Sequence, residues 1–226
     1  MCGCRQGLSG AAGLSGAVSG YRADVTQVHL VRHGRTTWQD EGRVQGSFAG
    51  EGEPVLTEAG RAQAGRAAAD LREALGDGEF WLVTSDLARA VESAEIIGGA
   101  LGDVPGRAPA AMRVEPRWRE QHLGGMEGRA RTELSPEPTP DGGHVSEIRW
   151  GAGESLRDVH DRLAPELAAL TDTPSVVSDV VVVSHEHTIR VALAALRGHL
   201  RPWRTVDWDE PLPPGAVRTV TAPGSS

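Results

Sequence analysis

Short apolar runs alternate along the chain with longer segments in which apolar residues recur every three or four positions. The runs Val28–Val31, Phe80–Val83 and Val180–Val183 have the length and β-branched content of strands buried on both faces. The segments Thr57–Leu75 and Ser85–Leu101 carry the apolar stripe of amphipathic helices. Alternating strands and helices predict an α/β fold, a three-layer sandwich with a mostly parallel central sheet flanked by helices.

The remaining elements follow from the same patterns. A short strand is predicted over Met112–Val114, and a second edge-type strand over Ala216–Thr221. A helix begins near Glu154, and another follows Ser184-His185 to about Leu196. Because proline lacks an amide hydrogen and its ring clashes with the preceding turn, we expect Pro165 to kink or shorten the first of these helices.

Composition and length predict one soluble domain. The 226 residues fit a single core, and we place this domain at 25–226. Residues 1–24 are rich in Gly, Ser and Ala, which indicates a flexible tail, with a misassigned start or an export signal as alternatives. Cys2 and Cys4 form neither a disulfide framework nor a complete zinc site. We therefore expect a cytoplasmic protein.

The charge balance narrows the expected partners. A net charge of −8 disfavours nucleic acid and anionic membrane surfaces. No apolar stretch approaches the ~20 residues of a membrane span. These features favour a small-molecule partner and leave the oligomeric state open.

Three of the predicted strands end in groups suited to phosphate. Arg32 and His33 follow the first, Ser85 and Arg89 follow the second, and His185 follows the last buried strand. Ligands of α/β sheets bind at the carboxyl ends of strands, so neighbouring strands would gather these cations around one anion. A phosphoryl group is the expected anion. Taken alone, the Arg32-His33 pair could equally form a surface salt bridge.

Several segments, in order along residues 27–221, resemble the histidine phosphatase superfamily, the phosphoglycerate-mutase-like enzymes. The segments that carry this resemblance are Val31–Trp38, Val44–Gly46, Leu56–Ala64, Thr84–Ala90, Arg119–Gly128, Gly153–Leu156 and Val183–His185. Their common order gives the resemblance its specificity.

The resemblance implies a role for five residues. His33 would be the nucleophile and form a phosphohistidine. Arg32, Arg89 and His185 would hold the non-bridging phosphate oxygens. Glu120 would act as general acid and base, which requires a carboxyl kept protonated near working pH. No cofactor is implied.

Other positions have a substrate-binding interpretation beside an ordinary structural one. The candidates for substrate contact are Thr36, Gln39, Gln45, Ser85, Glu186 and His187. Caps and turns use the same residue types, and Glu120 could instead pair with Arg117 or Arg119. His29 is predicted to be a satisfied strand histidine. His185-Glu186-His187 lacks an evident third ligand, so no metal is expected.

Glu186 and two loops depart from the family pattern. Glu186 stands where the family usually has glycine; it could face the phosphate pocket, or point away and favour the first turn of the helix. Gln39 stands where asparagine is common, and Ser47–Pro54 lacks the usual Asp-containing turn. We expect Ser47–Pro54 and Leu134–Gly153 to set substrate specificity.

The predicted function is hydrolysis of a small phosphorylated metabolite through a phosphohistidine. The related mutases carry a longer insertion with basic residues, whereas Arg149 is the only basic residue of Leu134–Gly153. The alternatives are a cofactor-dependent phosphoglycerate mutase and a non-catalytic phospho-ligand-binding protein on the same fold.

Overall fold

The computed structural model describes residues 27–102, 112–135, 137–139, 143–172 and 179–222. The predicted tail at 1–24, with Cys2 and Cys4, lies outside these residues. The strands are β1 (Gln27–Arg32), β2 (Phe80–Thr84), β3 (Met112–Val114), β4 (Asp179–Ser184) and β5 (Val217–Thr221). The α-helices are α1 (Thr37–Asp40), α2 (Glu58–Leu75), α3 (Ala88–Gly102), α4 (Leu156–Asp172) and α5 (Glu186–Leu196). Single-turn 3-10 helices cover Pro116–Trp118, Gly124–Met126, Arg131–Glu133, Val145–Glu147 and Pro202–Arg204.

One five-stranded sheet has the order β3-β2-β4-β1-β5. The pairs β1–β4, β2–β4 and β2–β3 are parallel, whereas β5 pairs antiparallel with β1 at the edge. The three strands predicted to be buried are therefore neighbours, and their carboxyl ends lie side by side. The predicted mostly parallel sheet and the predicted edge strand are both confirmed.

The sheet separates two apolar cores, as a three-layer sandwich requires. Val180 and Val182 of β4 face the core beneath α4 and α5, and Val181 and Val183 face the core beneath α2 and α3. The alternation follows from the strand geometry, in which successive side chains point to opposite faces. All four valines are buried, which explains the uninterrupted apolar run.

The structure differs from the sequence-based expectation at two places, Pro165 and α1. Pro165 lies inside α4, which continues to Asp172, so the expected shortening is wrong. Pro165 is exposed, while Val159 and Leu163 are buried against the core and hold the helix in place. The single-turn α1 was not predicted; Thr36 and Gln39 form a capping box around it.

Two glycines bring the end of β1 against the start of α2. A Cβ at Gly34 would overlap the backbone carbonyl of Gly60, and a Cβ at Gly60 would overlap the carbonyl of Arg35. Thr57 caps α2 by accepting a hydrogen bond from the Gly60 amide at 3.1 Å. This close approach fixes the chain immediately after His33.

His29 is a satisfied strand histidine, as predicted. The ring is buried, with Nδ1 2.9 Å from Thr219 Oγ1 and Nε2 2.9 Å from Asp179 Oδ1. Both nitrogens therefore have structural partners. None of the helices in the described ranges is long and apolar enough to cross a bilayer.

Candidate active site

A cavity of about 250 Å³ opens at the carboxyl ends of β1, β2 and β4. The His33 amide donates to the Ser184 carbonyl at 3.0 Å, and the Ser85 amide donates to the Val183 carbonyl at 3.1 Å, so the three strand ends are tied together. We call this space the active-site cavity. Its walls include Arg32, His33, Gln39, Gln45, Arg89, Glu120, Glu186 and His187.

His33 is held as a neutral imidazole with one free ring nitrogen. Its Nδ1 lies 2.7 Å from the Gly34 carbonyl oxygen, and because a carbonyl only accepts, Nδ1 carries the hydrogen. The lone pair is then on Nε2. Burial, followed by the charges of Arg89 and Arg32, holds the pKa of His33 well below 6.5. A buried neutral imidazole with a free Nε2 is suited to nucleophilic attack.

Arg89 presents donors that no described residue uses. The side chain is fully buried, and Nη2 donates to the Gly46 carbonyl at 2.6 Å. Nε and Nη1 are buried without a hydrogen-bond partner in the described part of the chain. Burial lowers the pKa of Arg89 to about 10, so the guanidinium is still cationic at neutral pH. Buried unpaired cationic donors fit an anionic ligand.

Gly46 accepts the Arg89 hydrogen bond from a conformation that favours glycine. Its φ is +51°, and a Cβ there would overlap the carboxylate of Glu127. Glu127 in turn accepts from the Ser47 amide at 2.7 Å and from the Leu123 amide at 2.9 Å. The glycine of the Val44–Gly46 segment therefore supports Arg89 through its backbone.

Arg32 is anchored on two sides. Its Nη1 donates to the Leu212 carbonyl at 2.6 Å and lies 2.7 Å from Glu186 Oε2. Its Nε is buried and has no partner among the described residues. Burial lowers the pKa of Arg32, partly offset by Glu186. Nη1 is thus held by the protein, while Nε remains available to a ligand.

His185 lies beside His33 and is held by Ser85. The two imidazole centroids are 5.0 Å apart, and His185 Nε2 lies 2.9 Å from Ser85 Oγ. His185 is fully buried, its Nδ1 has no partner in the part of the chain described, and burial holds its pKa well below 6.5. Neither Ser85 nor His185 is part of the cavity wall; both are fully buried, and the side chain of Ser85 contacts the His185 ring.

Glu120 reaches the cavity from the loop after the Pro116–Trp118 turn. Its Oε1 accepts from the Gln121 amide at 2.9 Å and the Thr188 amide at 3.3 Å, and its Oε2 accepts from the His187 amide at 3.3 Å. Burial pushes the pKa of Glu120 up, but His187, the Gln121 amide and the two arginines push it down, with a net lowering. The carboxyl is therefore ionised at neutral pH, unlike the protonated carboxyl that the sequence led us to expect.

The loop that carries Glu120 is fastened by a residue that the sequence did not single out. Arg162 of α4 donates to the carbonyls of Arg117 at 2.5 Å, Arg119 at 2.9 Å and Glu120 at 3.1 Å. Its Nε lies 2.8 Å from Glu154 Oε1, which holds the guanidinium in place. The sequence around Arg162 does not reveal this role, because the carbonyls that it binds belong to a loop far away in the sequence.

Neither Arg117 nor Arg119 forms an ion pair with the Glu120 carboxylate. Arg119 makes two hydrogen bonds to Asp86, at 2.6 and 2.5 Å, and this contact raises the pKa of Arg119. Arg117 pairs with Glu115 and Glu166 instead. The alternative in which Glu120 is a loop residue paired with either arginine is thus wrong.

Thr36, Gln39 and Gln45 form one hydrogen-bonded group. Thr36 is fully buried and donates from Oγ1 to Gln45 Oε1 at 2.8 Å, and its amide donates to Gln39 Oε1 at 3.0 Å. Gln39 and Gln45 line the active-site cavity, whereas Thr36 does not. The two glutamines therefore cap or brace α1 and also face the cavity, and their contact with substrate stays a prediction.

Glu186 faces the cavity and forms two ion pairs there. Its Oε2 pairs with Arg32, and its Oε1 lies 3.3 Å from Arg190 Nη2. His187 also lines the cavity, and its ring packs edge-on against Trp208 at 5.5 Å. Across the described ranges, no three His, Cys, Asp or Glu side chains gather as a metal site.

Two arginines of the cavity wall were not predicted. Arg43 lies over the Trp38 ring, 3.9 Å from its centroid, and donates to the Gly128 carbonyl at 2.9 Å. Arg131 is exposed; its amide donates to the Gly42 carbonyl at 2.8 Å, but its side chain makes no hydrogen bond or ion pair with any described residue. Arg149, by contrast, pairs with Asp158 at 2.8 Å and lies outside the wall. The scarcity of basic residues in Leu134–Gly153 therefore does not separate a phosphatase from a mutase.

The two loops expected to set specificity differ in their placement. None of the residues of Ser47–Pro54 lines the active-site cavity; Glu53 instead accepts from the Ala88 amide at 3.2 Å. Leu134 and Trp150, at the ends of the second segment, do line it. Only that second segment lies against the cavity.

The wall carries four arginines against two glutamates, a net positive surface around a buried imidazole. The fold and the charge of the site together define an α/β protein with a positively charged cavity around a buried histidine. Comparison with known proteins gives the family. A model of the histidine phosphatase superfamily (branch 1) matches residues 28–212. The chain belongs to the histidine phosphatase superfamily, whose members are phosphatases or mutases.

Similar proteins carry both kinds of name. A protein of Cronobacter sakazakii, named probable phosphoglycerate mutase GpmB, is 34% identical over 182 residues, which cover 76% of this chain and 75% of that protein. A solved mycobacterial glucosyl-3-phosphoglycerate phosphatase in complex with VO3 is 29% identical, with a TM-score of 0.59, over 79% of this chain and 86% of that chain. A structure described as mycobacterial hydrolase 1 is 28% identical, with a TM-score of 0.61, over 81% and 86% of the two chains.

Proposed function

We propose that this protein is a phosphomonoesterase that hydrolyses a small phosphorylated metabolite through a phosphohistidine on His33. The observation that carries the proposal is the free Nε2 of a buried neutral His33, flanked by the unpaired donors of Arg89 and Arg32. Nε2 attacks phosphorus, the bond from phosphorus to the leaving oxygen breaks, and Glu120 gives that oxygen a proton. Water then attacks the phosphohistidine, loses a proton to Glu120, and releases phosphate and the imidazole.

Arg32, Arg89 and His185 bind the transferred group. The buried Nε and Nη1 of Arg89 and Nε of Arg32 bind non-bridging oxygens, as does Nδ1 of His185 when it carries a hydrogen. Charge on these oxygens is stabilised by donors that are already in place, so little reorganisation is needed during transfer. Ser85 sets the orientation of His185, since its hydroxyl occupies Nε2.

Binding of the ester supplies the condition that Glu120 needs to act as an acid. In the free site, Arg32 and Arg89 are among the groups that lower the pKa of Glu120. A bound phosphate pairs with both arginines and adds negative charge beside the carboxyl, which raises the affinity of Glu120 for a proton. The ester monoanion can deliver that proton.

A cofactor-dependent phosphoglycerate mutase is the second candidate, because Arg43 and the unpaired Arg131 could bind the carboxylate of a phosphoglycerate. The curated relatives named probable phosphoglycerate mutase agree with it. Against it stands Glu186, a carboxylate on the cavity wall that would repel a second anionic group. A non-catalytic binder would leave the free Nε2 of His33 without a role.

Hydrolysis and mutase activity are measured side by side on the purified chain. Phosphate release from p-nitrophenyl phosphate is followed from pH 5 to 8 with and without a chelator, and 3-phosphoglycerate with a bisphosphoglycerate primer tests the mutase. We expect chelator-resistant hydrolysis that His33→Ala abolishes, without conversion of 3-phosphoglycerate. Conversion by the wild type at a rate above hydrolysis would favour the mutase, and silence in both assays would favour the binder.

A further inference from the structure

A second cavity, of about 320 Å³, adjoins the active-site cavity and is rich in aromatic side chains. We call it the aromatic cavity. It is lined by Gln121, His144, Val145, Ser146, Ile148, Trp150, Leu156, His187, Trp203, Arg204, Val206 and Trp208.

The aromatic cavity lies on the side of the active site where the general acid lies. Trp150 and His187 line both cavities, so these two side chains form the wall between them. Gln121, which also lines the aromatic cavity, follows Glu120 directly, and the His187 amide donates to Glu120 Oε2 at 3.3 Å. The carboxyl of Glu120 is therefore held by two residues whose side chains face the second cavity.

The walls of the aromatic cavity favour an uncharged, flat ligand. Three tryptophans, two valines, an isoleucine and a leucine supply apolar surface, and no carboxylate lines the cavity. Its one arginine, Arg204, pairs with Glu147 at 2.9 Å, so its charge is already compensated. Val145 and Trp208 are 69% and 52% exposed, which leaves large apolar side chains open to solvent at this site.

We propose that the aromatic cavity is the leaving-group subsite, and that it takes an uncharged aromatic group carried by the alcohol part of the phosphomonoester. This inference rests on the proposed function, because it places the leaving group of that same hydrolysis. The acid must touch the leaving oxygen, so the rest of the alcohol extends from Glu120. Gln121, His187 and Trp150 then guide it towards Trp203 and Trp208, where rings stack or meet edge to face.

The test compares two esters with similar alkanol leaving groups, 3-phenylpropyl phosphate and propyl phosphate. We expect the wild type to favour the phenylpropyl ester at least tenfold in kcat/KM, mainly through a lower KM. Trp208→Ala should lower that ratio about fivefold, because it removes one aromatic wall. Trp81→Ala is the matched control: this tryptophan is 47% exposed and lines neither cavity. It should leave both esters unaffected.

Binding of the corresponding phosphonates, measured by calorimetry, separates failure of the subsite from failure of the proposed function. We expect 3-phenylpropyl phosphonate to bind at least tenfold more tightly than propyl phosphonate, and Trp208→Ala to reduce this difference, whether or not the esters turn over. Equal affinities, or an equal loss for both phosphonates in Trp208→Ala, would overturn the subsite. Absence of hydrolysis with the affinity difference intact would overturn the hydrolase and retain the subsite.

Discussion

Oε2 of Glu186 lies 2.7 Å from Nη1 of Arg32, so a carboxylate occupies one donor of an arginine that we assign to phosphate binding. The same carboxylate also reaches Arg190 at 3.3 Å. The pairing keeps Arg32 fixed, but it places a negative charge on the wall of an anion site. From this relationship we predict that Glu186 lowers the affinity of the site for phosphate.

Removing the charge of Glu186 should tighten phosphate binding. In Glu186→Gln, Arg32 is still held by the Leu212 carbonyl, and we expect inorganic phosphate to bind about tenfold more tightly. Calorimetry measures the affinity. Glu92→Gln is the control, because Glu92 is 32% exposed against 30% for Glu186, pairs with Arg61 and lies outside the cavity. Unchanged or weaker binding in Glu186→Gln would show that the carboxylate does not oppose the anion.

Removing or displacing the Glu120 carboxyl should slow hydrolysis most for esters whose leaving oxygen must be protonated. Glu120→Gln should lower kcat for propyl phosphate about a hundredfold to ten-thousandfold, and far less for p-nitrophenyl phosphate, whose phenolate departs without a proton. Arg162→Gln should reproduce this pattern more weakly, about tenfold, because it releases the carbonyls of the Glu120 loop.

The control for the Arg162 variant lies on the same side of the molecule. Arg149→Gln removes an arginine that pairs with Asp158 of α4 and does not line the active-site cavity. Both esters should be hydrolysed at the wild-type rate. An equal loss for both esters in Arg162→Gln would indicate general damage to the site instead of a misplaced acid.

Gly46→Ala should weaken both the fold and the site. At φ +51° an alanine is strained by about 1–2 kcal/mol, and its Cβ would overlap the Glu127 carboxylate, which moves the carbonyl that holds Arg89. Gly42→Ala separates the two effects, since φ is +67° there with open space around the Cβ. We expect both variants to lower the melting temperature, and Gly46→Ala alone to weaken phosphate binding. An equal phosphate affinity in the two variants would contradict the role of the Gly46 carbonyl in holding Arg89.

The buried histidines should make stability depend on pH. The pKa values of His33 and His185 are held well below 6.5 in the folded protein, so below pH 6.5 the unfolded chain binds protons that the folded chain does not. The free energy of unfolding therefore falls as pH drops, by up to about 1.4 kcal/mol per histidine per pH unit, until the folded pKa values are reached. Urea unfolding from pH 7.5 to 5.5 in phosphate-free buffer measures the slope.

The slope should lessen in His33→Asn, because that variant removes one of the two buried rings. A wild type whose stability is flat across this range would contradict the neutral buried state of the two rings.

The core of the fold could be predicted from the sequence because its signals are local. The uninterrupted run Val180–Val183 is typical of a strand buried on both faces, and the register with β1 and β2 places it at the centre of the sheet. The helix predicted over Thr57–Leu75 is observed as α2, with Thr57 as its cap. Arg32, His33 and Arg89 could be placed together because parallel strand ends share one edge of a sheet.

Several contacts that position the site residues join parts of the chain that are far apart in sequence. Local sequence patterns therefore could not predict them. Arg162 reaches carbonyls more than forty positions away, and Arg131 lies on a single turn that has no periodic pattern. The pairing of Glu186 with Arg32 joins residues from two separate strand ends. The aromatic cavity likewise combines the segment around Val145 with the segment around Trp208.

The most direct test of the central claim is to capture the phosphoryl group on the protein. Radiolabelled phosphomonoester is mixed with the wild type and quenched in base within milliseconds, and the labelled peptide is then identified by mass spectrometry. We predict an acid-labile phosphate on His33 that appears before free phosphate and is absent from His33→Ala. Hydrolysis at the wild-type rate in His33→Ala, or label on another residue, would contradict the account.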